Sequence, residues 1–165
     1  MSGAADILET WRAPRRVIRR LLAQGQREDR ALAVLMIGCA LIFVSAWPHL
    51  ARQAAADPAT PLDARLGGAL LAWLGMMPLA FYGIAALSHL LARGLGGRGS
   101  FYGARLALFW AVLAASPAWL AQAALAALVP GALAQAVAAL ALASLLWFWL
   151  AALREVEWGR RDAAA

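Results

Sequence analysis

Residues 31–50 read ALAVLMIGCALIFVSAWPHL, a stretch without a single Asp, Glu, Lys or Arg. Wound as a helix at ~1.5 Å per residue, roughly 20 such residues cross the ~30 Å hydrocarbon core of a bilayer. Trp47 falls near its end, where an interfacial aromatic belongs, and Pro48 and His49 mark the predicted exit. Downstream, the polar run ARQAAADPATPLDAR (51–65) carries Pro58 and Pro61, which discourage a helix there. Three more apolar blocks follow. They are predicted at 66–91, with Pro78 and His89 inside, at 106–129 with Pro117, and at 132–153, which ends in Trp147-Phe148-Trp149. Between the second and third lies a glycine-rich basic loop, ARGLGGRGSFYGAR (92–105), and Val129-Pro130-Gly131 makes the last turn. The pattern divides the chain into a basic segment (1–30), a four-span domain (31–153) and a charged tail (154–165).

Composition leads to the same class. Of 165 residues, 64% are apolar, and the mean hydropathy is +0.68. Soluble domains run at about 45–50% apolar, and one small core cannot bury the excess. The expectation is an all-α polytopic transmembrane helix bundle of about four spans.

All fifteen basic residues are arginines, and the net charge is +6. With the abundance of Ala, Leu and Gly, this reads as a high-GC bacterial coding bias. The arginines edge the apolar blocks, which fits membrane orientation and argues against nucleic acid as a partner. Seven lie before the first span, two in the first loop, three in the second, none in the third and three in the tail. That alternation predicts both ends in the cytoplasm, in a bacterial inner membrane. The start, Met1 to Asp6 followed by charges, lacks the layout of a secretory signal, so the first span is expected to direct insertion.

Within the basic segment, Ile7, Leu8, Trp11, Ile18, Leu21 and Leu22 fall near one helical face. Trp11, Arg12, Arg16, Arg19 and Arg20 are therefore candidate contacts to anionic lipid headgroups or a partner. A second reading of the same residues is a juxtamembrane charge cluster that only sets orientation. Pro14 interrupts the pattern and suits the first turn of a second short helix.

Chemistry inside the spans is sparse. By these boundaries the deep polar residues are Ser45, Ser116, Gln122, Gln135 and Ser144, which suit bonds to neighbouring helices or to their own backbone. His49 and His89 are expected on opposite faces, unable to share a metal. No serine has a His–carboxylate pair, and the lone Cys39 reads as a packing residue. No catalytic residue, cofactor or metal is predicted.

The loop glycines miss the phosphate-loop and dinucleotide spacings. Ser100 there suits a helix N-cap. His89, Arg93, Gly96, Gly97, Arg98, Ser100 and Phe101 complete the set of candidate lipid or partner contacts.

The stretch HLLARGLGGRGSFYGARLAL (89–108) resembles the signature of the Yip family of Ypt/Rab-interacting membrane proteins, particularly its bacterial branch. There a Leu-rich span end passes through a Gly-Gly-x-Gly-Ser/Thr-aromatic turn into a span containing a proline, matched here by Pro117. WFWLAALREVEW (147–158) is similar to the family's aromatic-rich span and charged exit. The resemblance implies a multispan membrane protein and about five spans, against four read here. The acidic aromatic motif of eukaryotic members is missing, so the Rab partner is not carried over. The expected function is a non-enzymatic scaffold or accessory subunit, with a membrane-protein partner or a homo-oligomer. The rival reading is a small oligomeric transporter or channel, kinked at Pro78 and Pro117 around Gln122, Gln135 and serines.

Overall fold

A computed structural model describes residues 3–129 and 131–159. Pro130 of the predicted last turn, and Arg160 and Arg161 of the tail, lie outside the described residues. The described chain is helical from end to end: α1 (Gly3–Thr10), α2 (Pro14–Leu22), α3 (Glu28–Ala56), α4 (Leu62–Leu70), α5 (Met77–Gly94), α6 (Phe101–Leu128) and α7 (Ala132–Trp158). A π-helical turn, Leu71–Met76, joins α4 to α5, so Leu62–Gly94 forms one continuous span. Among the described residues, four helices are long and apolar enough to cross a membrane.

Prolines set the local detail. Pro48 does not end the first span, as predicted; it sits inside α3, which runs on to Ala56 and shortens the first loop. The π turn lies immediately before Pro78, near the start of α5. Proline offers no N–H and its ring crowds the preceding turn, and a widened turn is one way a helix relieves that conflict. Pro117 is carried inside α6.

Helix α6 is the centre of the bundle. Its first half, Tyr102 to Ser116, is buried almost without break, the pattern of a helix enclosed on all sides. Helices α3 and α6 run side by side in the same direction, since Arg105 bonds Glu28 near both starts and Gly38 meets Val112 and Leu113 further along. A Cβ at Gly38 would stand 3.0 Å from Val112 Cγ1 and 3.2 Å from the Leu113 backbone nitrogen, so the glycine permits this crossing. Helix α7 returns antiparallel along α6 over small residues, with Ala104, Ala107, Ala111 and Ala114 on α6 and Ala141, Ala151 and Ala152 on α7 all buried. The outward faces keep Leu79, Leu87, Leu140 and Leu142 exposed, as lipid-facing positions should be.

The deep serines turn inward upon their own helices. Ser45, Ser88, Ser116 and Ser144 each donate to the carbonyl three residues back, at 2.6 to 2.8 Å. Gln135 is exposed on the outside of the bundle. These hydroxyls spend their donors locally.

Candidate functional site

Three helix ends and the glycine loop converge at the arginine-rich end of the bundle. Helix α5 finishes there with His89 on its last turns, and α7 arrives with Glu157 one residue before its end. The His89 Nδ1–H donates to Glu157 Oε1 at 2.6 Å, and the Gly99 N–H donates to Oε2 at 2.9 Å. The Arg98 N–H bonds the Glu157 main-chain carbonyl at 2.8 Å. The His89 ring also packs at 4.4 Å on the edge of Phe101. Glu157 has no exposed side-chain surface and His89 has 4%. Both carboxylate oxygens are bonded, which is the condition for enclosing such a group.

The loop reaches this geometry through its glycines. Gly96 adopts φ +84, the left-handed conformation that closes the turn after α5. Gly97 and Gly99 lie against the carboxylate: a Cβ at Gly97 would stand 2.8 Å from Glu157 Oε2, and one at Gly99 2.7 Å from its Cδ. Ser100 then caps α6, accepting from the Gly103 N–H at 3.1 Å. His89, read from sequence as a candidate lipid or partner contact, has its ring turned inward on Glu157. Arg93 remains exposed in the last turn of α5.

The N-terminal segment forms a second constellation. Helices α1 and α2 pack on each other and fold back along α6 and α7. Thr10 accepts from Trp110 Nε1–H at 2.9 Å and donates to the Asp6 carbonyl at 2.7 Å. Trp11 donates to the Ala114 carbonyl at 3.2 Å and sets its ring edge-on to Phe148 at 5.1 Å. Ala114 lies fourteen residues beyond Ser100, ~20 Å along the helix axis. The segment therefore runs down the side of the bundle, with the Thr10–Pro14 link as its deepest point. Val17, Ile18 and Leu21 form the buried stripe of α2.

Arg20 turns toward α1, bonding Asp6 at 2.5 Å and Glu9 at 2.8 Å. The hydrogen bond to Glu9 leads the influences that raise its pKa above the ordinary arginine value. Its charge is paired within the α1–α2 hairpin, while part of the side chain stays open to the outside. Arg12, Arg16 and Arg19 instead line a cavity of about 640 Å³ between α2 and α7, with Arg15 and Arg154 beside them. Arg19 binds Glu155 Oε1 through Nε and Nη2, at 3.0 and 2.7 Å.

The sequence reading did not single out Glu157, Glu155 or Arg154. Glu157 stands one helical turn beyond buried Leu153, so continuing the 3.6-residue period of the fourth span past its apolar end was the available signal.

The Yip1 domain pattern matches residues 8–165. The chain belongs to the Yip1 domain family. The glycine turn read as its signature is the loop that encloses Glu157 here. No curated protein and no solved structure gives a significant match.

Proposed function

We propose that this Yip1-domain chain is a non-enzymatic scaffold or accessory subunit of a bacterial inner membrane, with both ends cytoplasmic. The supporting observation is how its polar groups are used. His89, Glu157, Thr10, Trp110 and Asp6 are engaged in joints between helices, and the deep serines bond their own backbone. Among the described residues, Arg12, Arg15, Arg16 and Arg154 carry no ion pair and line a cavity that runs down the side of the bundle between α2 and α7. Such a molecule holds a shape and presents a basic surface to anionic headgroups or to a membrane-protein partner. Orientation rests on the same arginines, since Arg52 and Arg65 are those at the opposite end.

Gentle detergent extraction at native expression, affinity purification and mass spectrometry test the reading. A stoichiometric membrane-protein partner is expected. A pure homo-oligomer that passes small solutes across liposomes would overturn it in favour of a channel. Maleimide labelling of a cysteine placed near residue 5 should fail from the periplasmic side; efficient labelling there would reverse the orientation.

A further inference from the structure

The cavity between α2 and α7 joins a basic wall to an apolar one. Arg12, Arg15, Arg16 and Arg154 stand around it, and none has an ion-pair partner among the described residues. Arg19 completes the ring while holding Glu155. No carboxylate lines this cavity among the described residues. Glu155, held by Arg19, is the nearby carboxylate and adjoins Arg15 and Arg154, so the positive charges here outnumber it and an anion binding between them lowers their repulsion.

The opposite wall is apolar. Trp147 and Leu150 line the cavity while 65% and 49% exposed. Leu140, two helical turns before Trp147, is also exposed, so an apolar track continues along α7 toward the other end of the bundle. A soluble phosphate ester would use the arginines and leave this wall wet. An anionic lipid uses both.

We infer that this cavity is a headgroup site for a phospholipid bearing two phosphates, of the cardiolipin class. Four guanidiniums without an ion pair among the described residues match two phosphates, because each guanidinium offers a planar fork to phosphate oxygens. The cavity holds the glycerol-bridged headgroup, and the acyl chains follow Trp147 and Leu140. The segment read from sequence as a generic basic surface then provides half of a defined pocket, with α7 providing the rest. The site deepens the proposed headgroup contact and rests on that end lying at a membrane surface. Lipid selectivity is measured independently of topology and of any partner protein, so either reading can fail alone.

Purified full-length protein in nanodiscs of neutral phosphatidylcholine, doped with cardiolipin or with charge-matched phosphatidylglycerol, is assayed by native mass spectrometry. Cardiolipin should be retained at least about tenfold more strongly than phosphatidylglycerol, given the steep dependence of lipid capture on each arginine. Joint Arg12→Gln, Arg15→Gln, Arg16→Gln and Arg154→Gln should abolish the preference, while joint Arg52→Gln and Arg65→Gln should preserve it. Trp147→Ala should weaken retention with all arginines in place. Thermal melts of each variant identify any unfolding, and the single Arg154→Gln variant, which leaves α1 and α2 unchanged, serves as the second probe. Equal retention of the two lipids, or an unchanged preference in the quadruple variant, refutes the site. Displacement of cardiolipin by millimolar inorganic pyrophosphate with no effect from Trp147→Ala would also overturn it, identifying a site for soluble phosphate.

Discussion

Removal of the Glu157 carboxylate is the sharpest test of the joint between α5, the glycine loop and α7. In Glu157→Ala, the His89 Nδ1–H and the Gly99 N–H both lose their acceptor. If the loss were only the net worth of two hydrogen bonds, it would be about 2 kcal/mol. The site is enclosed, however, and each stranded donor carries a desolvation cost of about 1–3 kcal/mol. Gly97 and Gly99 lie against the carboxylate, so its removal leaves an enclosed void lined by these two donors. The larger estimate therefore wins, at about 3 kcal/mol or more, which is roughly a hundredfold in the equilibrium between closed and open loop.

His89→Leu should cost at least as much, since it leaves a buried carboxylate with one remaining donor. Glu157→Gln keeps one acceptor and should fall between the variant and the native protein. The assay is limited trypsin digestion in mild detergent, following cleavage after Arg93 and Arg98, alongside denaturant unfolding. Glu157→Ala should accelerate cleavage after Arg98 by one to two orders of magnitude and lower the unfolding midpoint. Cleavage within about a factor of two of the native rate, with an unchanged midpoint, would refute the claim that the pair holds the loop.

Gly99→Ala should lose stability by about 1–3 kcal/mol in the same unfolding assay, because its Cβ would overlap the carboxylate. Gly94→Ala, with open space around its Cβ, is the control and should be neutral or slightly stabilising. Gly38→Val should force α3 away from α6 and cost about 1–3 kcal/mol by overpacking, read as a lowered thermal midpoint in detergent. Trp11→Phe removes the bond to the Ala114 carbonyl while keeping an aromatic ring against Phe148. It should raise hydrogen exchange across residues 3–22 by about fivefold, corresponding to ~1 kcal/mol, and leave the central part of α6 protected.

Hydropathy and arginine spacing determined the four spans because a bilayer imposes its own length scale: any run such as 31–50 must find ~30 Å of hydrocarbon, whatever it packs against. The cap at Ser100 and the turn at Gly96 were legible for the same reason, being local backbone demands. Arg12, Arg16 and Arg19 could be read as a basic face from helical periodicity alone. Their grouping with Arg154 could not, since it lies well over a hundred positions away in sequence and meets them only where α2 docks on α7. The inward turn of Arg20 likewise depends on α1 bringing Asp6 and Glu9 to it. Glu157 shows the division most plainly. In sequence it is one charge in a polar tail, a group that water solvates for no cost. Only tertiary structure decides otherwise, by closing two glycines and a histidine around it and supplying the hydrogen bonds that water would have given.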